Sequence, residues 1–137
     1  MKYLGLDLGS KTLGVAISDS LGMIARVYDT FRFPDDCYLE ACDYTISVIK
    51  KEKIDAVVLG YPKHMSGDIG IRGKISEDFK AMLEEKTDVP IILLDERLST
   101  VVANNAMLMG DVSRKKRKEK KDELAAVVIL QNYLDRR

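Results

Sequence analysis

The apolar residues of this chain change their spacing along the sequence, and that change constrains the fold more than any other feature. Residues 2–8 and 12–18 predict a β-hairpin with Gly9 and Ser10 in its turn, and the alternating residues 24–33 predict a third strand. The later segments "IDAVVLGYP" and "VPIILLDE" are short continuous apolar runs. Such runs are typical of parallel strands that are covered by helices on both faces.

Helical spacing separates these strands. Apolar residues fall three or four apart over 36–52 and 71–86, and further helices are predicted from "LST" to about Met109 and over 119–135. The pattern predicts an α/β fold with a mixed five-stranded sheet, three antiparallel strands followed by two parallel ones, flanked by helices on both faces. Right-handed crossovers would place strand four beside strand one.

Length and composition favour a single domain over residues 1–137 that is large enough for one core. No apolar run is long enough to span a membrane and no leader pattern is present, so we expect a cytoplasmic protein with no membrane association. Cys37 and Cys42 lack partners for a zinc pattern, and His64 is the only histidine. Mechanisms that need two histidines are therefore excluded.

Asp7 interrupts a strand that should be buried, where an uncompensated carboxylate is costly. Strand alternation places Gly5, Asp7 and Gly9 on one face and the intervening leucines on the other. The glycines would let a metal ion or a phosphate approach the carboxylate closely. In sheets of this kind ligands bind beyond the carboxyl ends of the parallel strands, which is where Asp7 is predicted. A local capping role for Asp7 is the alternative.

Further carboxylates follow strand five and begin the last helix. Asp95 and Glu96 are neighbours on a strand, so only one of them can share the face of Asp7, and the spacing does not choose between them. Both could instead lie near the positive end of the next helix. Asp122 forms a helical stripe with Ala125 and Ala126, and these small residues would let the helix lie close to the sheet. An acid in the first turn of a helix is also favourable without any function.

Three converging carboxylates would repel one another unless cations neutralised them. Oxygen ligands favour Mg²⁺ or Mn²⁺, and two such ions can activate water and stabilise the leaving oxygen of a phosphodiester. This chemistry needs no histidine or cysteine.

Basic residues are concentrated in "SRKKRKEKK", which carries seven Lys or Arg and one Glu in a chain of net charge zero. Such a segment is compatible with a polyanion partner, although it could be only a solvated loop. Basic and glycine residues also recur in "GYPKHMSGDIGIRG", which could bind phosphates or be an ordinary crossover loop. The predicted phosphate contacts are Lys11, Lys63, Arg72, Arg97, Arg114, Lys115, Lys116 and Arg117.

The ordered motifs "GLDLGSKTLGVAISD", "VVLGYPKHMSGDIGIRG", "DERLST" and "KKDELAAVVILQNYLD" closely resemble the YqgF family of Holliday junction resolvases, also described as the pre-16S rRNA nuclease. The resemblance covers essentially the whole chain. It implies a ribonuclease H-like fold, divalent-metal phosphodiesterase chemistry, and a nucleic-acid substrate, either pre-rRNA or branched DNA. By motif it implies that Asp7, Glu96 and Asp122 are the catalytic metal ligands, and only the resemblance favours Glu96 over Asp95.

Two departures from the family pattern leave an alternative open. Strand four ends in "LGYP" where the resolvase branch has an acid, and "GIRG" replaces the common Gly-Pro-Arg. A non-catalytic nucleic-acid-binding factor for ribosome maturation therefore competes with the nuclease. The first hairpin also resembles that of actin-like sugar kinases, but these need two such domains. As partners we expect nucleic acid and ribosomal particles, with the protein a monomer or a weak homodimer.

Overall fold

The computed structural model describes residues 1–61, 71–95 and 114–136, of which 71–72 and 114–123 are described by their backbone alone. The strands are β1 (Tyr3–Leu8), β2 (Thr12–Ser18), β3 (Ala25–Arg32), β4 (Ala56–Tyr61) and β5 (Ile91–Asp95). The described helices are α1 (Tyr38–Glu52), α2 (Ile71–Glu84) and α3 (Arg114–Arg136).

The strands form one sheet in the order β3-β2-β1-β4-β5. β1 pairs antiparallel with β2, and β2 pairs antiparallel with β3. β4 pairs parallel with both β1 and β5, so strand four lies beside strand one as the right-handed crossover predicts. The predicted sheet of three antiparallel and two parallel strands is confirmed.

Each sheet face has its own apolar cluster. Leu4, Leu6 and Leu8 of β1 point into the larger cluster, which α1 and α2 cover. The opposite face carries a smaller cluster in which Tyr3, Ala16, Ala56 and Val58 pack against α3. The members that α3 contributes are Ala126, Ile129, Leu130 and Leu134. Helices on both faces are therefore also confirmed.

The last helix begins earlier than the sequence indicates. It starts at Arg114, not near residue 119, so the basic segment forms its first turns. Lysine, arginine and glutamate are good helix formers, and they extend a helix in which no apolar stripe marks the start. The helix predicted up to Met109 lies outside the described residues. No helix among the described residues is long and apolar enough to cross a membrane.

Candidate active site

Asp7 lies near the carboxyl end of β1, and its side chain is half-buried. Its neighbours Leu6 and Leu8 are buried in the cluster under α1 and α2, so alternation turns Asp7 toward the α3 face together with Gly5. The predicted sharing of a face by Gly5 and Asp7 is thus confirmed. Asp7 has interaction partners within the structure, as expected for a carboxylate at a partly buried position.

Glycines lie on both neighbouring strands beside Asp7. Gly14 of β2 is its cross-strand partner. On the other side, Leu6 pairs with Leu59 of β4, so the next position of β4 along this parallel register is Gly60. Neither neighbouring position carries a side chain beside the carboxylate. Because Gly60 occupies this position, β4 supplies no acid beside Asp7.

α3 crosses this face antiparallel to β1. Tyr133 contacts Tyr3 at the start of β1, with 5.7 Å between the ring centroids. Further along the strand, a Cβ atom placed on Gly5 would lie 2.7 Å from Leu130 Cβ and 3.0 Å from the Ala126 carbonyl oxygen. The helix therefore approaches the strand closely, because Gly5 has no side chain. Asp122, one turn before Ala126, thus belongs to the turn of α3 nearest the carboxyl end of β1.

Asp95 lies on the other face of the sheet. It pairs with Tyr61 at the ends of β5 and β4. Tyr61 is two residues after the core residue Leu59, so both lie on the face that α1 and α2 cover. The Tyr61 hydroxyl donates a 2.6 Å hydrogen bond to Glu77 Oε1 of α2. This bond to a carboxylate, with partial burial, raises the pKa of Tyr61 to about 12. Asp95 therefore shares the α1–α2 face and not the face of Asp7.

Several predicted site residues lie outside the described residues or are placed by their backbone alone. Glu96, Lys63 and Arg97 lie outside the described residues, and Arg72 and Asp122 are placed by their helix backbone alone. Within the described part of the chain, no group of three acidic, histidine or cysteine side chains is arranged to hold a metal ion. Because two of the three predicted ligands have no described side chain, the assignment of Asp7, Glu96 and Asp122 stays a prediction.

The basic residues Arg114, Lys115, Lys116 and Arg117 occupy the first positions of α3. The helix rises about 18 Å between Arg114 and Ala126, whereas β1 extends only about 10 Å from Gly5 to its last residue. The first turn of α3 therefore projects beyond the sheet edge where Asp7 lies. Lys11, in the β1–β2 turn at this same edge, is exposed.

The β1–β2 turn is held by backbone hydrogen bonds. The Gly9 amide donates to the Thr12 carbonyl at 2.7 Å within the turn. The amides of Phe33 and Asp36 donate to the carbonyls of Lys11 and Ser10, at 2.9 and 2.8 Å. These bonds fix the turn beside Asp7 to the segment that joins β3 to α1.

Sequence reasoning missed the two cross-strand glycines. Gly14 and Gly60 are separated from Asp7 along the chain, and only the strand register shows that they are its neighbours. The position of each glycine within "TLGVAIS" and "AVVLGY" fixes which face of its strand it lies on. That face can be compared with the face of Asp7 only after the strands have been aligned.

A family model described as RuvX, Holliday junction resolvase, matches residues 1–136. This chain belongs to that family. A curated relative from Bacillus licheniformis, named "Putative pre-16S rRNA nuclease", is 47% identical over 135 residues, which cover 98% of this chain and 97% of the relative. The predicted resemblance to the YqgF family is confirmed, and with it the class of enzyme, a nuclease.

Solved structures show the same fold at low sequence identity. RuvC from T. thermophilus in complex with a Holliday junction substrate has a TM-score of 0.64 at 14% identity, covering 98% of this chain and 94% of that one. The fowlpox virus Holliday junction resolvase has a TM-score of 0.58 at 12% identity, with complete coverage of both chains. The ribonuclease H-like fold that the family resemblance implied is thus confirmed.

Proposed function

We propose that this protein is a divalent-metal-dependent endonuclease that hydrolyses phosphodiester bonds in structured nucleic acid. The substrates that fit best are pre-16S rRNA, at its 5′ end, and Holliday junctions. The relatives' name indicates pre-16S rRNA, and the family description indicates Holliday junctions. The observation that carries the proposal is the position of Asp7. Its carboxylate lies at the carboxyl end of β1, between two glycine positions and beneath the helix that contains Asp122.

The second ligand follows from the face of Asp95. Because Asp95 belongs to the α1–α2 face with Tyr61, strand alternation leaves the next residue, Glu96, as the acid suited to join Asp7. This argument from register is independent of the motif resemblance and favours the same residue. Asp122 enters as the third ligand because its turn of α3 lies at the same sheet edge.

The donor set suits Mg²⁺ or Mn²⁺. Asp7, Glu96 and Asp122 offer carboxylate oxygens alone, and hard divalent cations prefer such ligands. A bound ion would supply an activated water and charge stabilisation at the leaving oxygen. Asp7 holds its carboxylate at the end of the strand, where the neighbouring glycines leave room for a phosphate. The basic first turns of α3 and Lys11 attract the nucleic-acid backbone without reading its sequence.

Conservative substitutions of the acids test this function. Asp7→Asn and Glu96→Gln are expected to abolish Mg²⁺-dependent cleavage of a pre-16S rRNA fragment and of a four-way DNA junction, with binding retained. Asp95→Asn is the matched control, because it removes a neighbouring charge from the opposite face and should leave cleavage within about threefold of the unmodified protein. Unfolding curves would show that all three variants fold. Full cleavage by Asp7→Asn, or equal losses in Asp95→Asn and Glu96→Gln, would overturn the assignment.

The glycine at the β4 position beside Asp7 favours a second candidate, a non-catalytic nucleic-acid-binding factor in ribosome maturation. With one carboxylate fewer at this row, the site could bind substrate and cleave it poorly. Tight RNA binding without cleavage in Mg²⁺ or Mn²⁺ would favour this candidate. Association with ribosomal particles, and a monomeric or weakly dimeric state, stay predictions that sedimentation with and without ribosomal subunits would test.

A further inference from the structure

Arg32 lies on the same sheet face and at the same sheet edge as Asp7. It is the last residue of β3 and pairs with Thr12 of β2. Two residues earlier, Thr30 pairs with Gly14, which is itself the partner of Asp7. Residues that are opposite one another across strands share a face, so Arg32 and Asp7 both belong to the α3 face. Phe31, between Thr30 and Arg32 in β3, faces the opposite side of the sheet and packs against the larger cluster under α1 and α2.

The side chain of Arg32 is exposed to solvent. Lys2, Lys80 and Lys86 each form an ion pair with a carboxylate, but among the described residues neither Arg32 nor Lys11 does so. Asp29, three residues before Arg32, accepts a 2.6 Å hydrogen bond from the Tyr44 hydroxyl, and Asp36, four residues after it, accepts a 2.9 Å hydrogen bond from the Tyr38 hydroxyl. Two exposed cations therefore lie at the edge of the sheet that carries Asp7.

The backbone beneath both cations is held in place. The Phe33 amide, directly after Arg32, donates to the carbonyl of Lys11 at 2.9 Å, so the two residues are joined by a hydrogen bond between their segments. Phe31, directly before Arg32, stacks on Tyr44 of α1 with 4.3 Å between parallel ring centroids. Arg32 is therefore anchored on both sides by groups that point into the molecule.

The separation from Asp7 suits a neighbouring phosphate and not the reacting one. Arg32 lies two strands across, about 10 Å, and two residues along, about 7 Å, so its Cα atom is about 12 Å from that of Asp7. With its Cα atom this far from Asp7, Arg32 is placed to contact the nucleic-acid strand beside the reacting phosphate and not the reacting atoms. Arginine also matches phosphate geometry with two parallel hydrogen bonds.

We propose that Arg32, together with Lys11, forms a subsite for a backbone phosphate of the nucleic-acid strand that flanks the scissile phosphate. The inference rests on the proposed function and adds the β3 edge to the substrate path. The nucleic acid would then extend from the basic turns of α3 past Asp7 to the β1–β2 turn. Arg32 acts as a positioning residue, since it holds the substrate and does not contact the reacting atoms.

The test compares Arg32→Gln with Arg26→Gln. Arg26 is an exposed arginine at the other end of the same strand, and it pairs with Ile17 of the α1–α2 face. Binding to a fluorescent four-way DNA junction and to a pre-16S rRNA fragment is measured by anisotropy without divalent ions, at several salt concentrations. Arg32→Gln should weaken binding about three- to tenfold and reduce the slope of log K against log salt by about 0.9 on duplex DNA, whereas Arg26→Gln should change neither.

A charge-retaining variant separates a phosphate contact from a structural effect. Arg32→Lys should restore the salt slope and part of the affinity, because it keeps the charge but loses the two-pronged hydrogen bond. In cleavage assays Arg32→Gln should raise KM with little change in kcat. Equal affinities and salt slopes for Arg32→Gln and Arg26→Gln would overturn the subsite. A protein that binds through Arg32 but cleaves nothing would instead overturn the proposed nuclease and leave the subsite standing.

Discussion

Substitution of Gly5 by alanine tests how closely α3 must approach the sheet. The added Cβ atom would lie 2.7 Å from Leu130 Cβ and 3.0 Å from the Ala126 carbonyl oxygen. Both atoms belong to the helix backbone or are bonded directly to it, so no side-chain rotation relieves the contact. Apolar carbon atoms rest about 3.5–4.0 Å apart, and α3 must therefore move outward by about 1 Å.

The expected cost has two parts. Overpacking of this kind destabilises a core by about 1–3 kcal/mol, a substantial fraction of the roughly 5–15 kcal/mol that stabilises a typical domain. The same shift would move the turn of α3 that contains Asp122 away from Asp7. With Asp122 in its proposed role as a metal ligand, a displacement of about 1 Å would lower the rate about a hundredfold. Activity should thus fall by more than the loss of folded protein explains.

Urea unfolding followed by circular dichroism gives the stability of Gly5→Ala, and kcat/KM is measured under conditions where the variant is fully folded. Leu130→Ala provides a sharp control because it keeps the clashing Cβ atom. Combining it with Gly5→Ala should leave the cost of the added methyl group nearly unchanged in a double-mutant cycle. A Gly5→Ala protein with unaltered stability and activity would refute the close approach, as would full rescue by Leu130→Ala.

Two further predictions concern titrating groups. Hydrogen bonds from the amides of Met23 and Ile24 hold the pKa of Asp19 below its ordinary value of 3.8, so the stability they add is present at neutral pH and is lost as pH falls through that lowered value. Asp19→Asn should unfold at lower urea concentration at pH 7 and should lose less stability between pH 5 and 2. Burial, with a 2.6 Å hydrogen bond from its hydroxyl to Asp29, raises the pKa of Tyr44 above its ordinary value of 10.0, so this stabilisation is present below pH 10 and declines above it. In spectrophotometric titration, Tyr44→Phe should remove one late-ionising phenol, and unchanged curves would contradict the assignment.

The sheet could be predicted from sequence because each strand carries a strong local signal. The β1–β2 hairpin alternates on both sides of a short turn, and the continuous apolar runs of β4 and β5 are too short for buried helices. The start of α3 at Arg114 could not be predicted in the same way. Its first turns have good helix formers but no apolar stripe, and periodicity detects only the part of a helix that packs against a core.

Only those features of the candidate site that depend on a single strand could be predicted from the sequence. Alternation within β1 places Asp7 opposite the leucines, and this needs no partner strand. The choice between Asp95 and Glu96 needs the register of β5 on β4, where Tyr61 pairs with Asp95. Arg32 needs still more, because a register shift between Val15 and Ala16 changes which residues of β3 face α3. Such shifts arise from tertiary packing and leave no clear trace in the sequence.

The direction of α3 links the basic segment to the proposed metal ligands. An apolar helical stripe packs equally well in either direction, so the sequence alone permits the basic turns to lie at either end of the sheet. The contacts of Tyr133 with Tyr3, and of Ala126 and Leu130 with Gly5, decide the direction. They place the first turns of α3 and Asp122 at the same edge as Asp7. Seven basic residues in the segment 113–121 repel one another along one helix, and a polyanion would relieve that repulsion. Nucleic acid bound there would therefore stabilise the same helix that brings Asp122 toward Asp7.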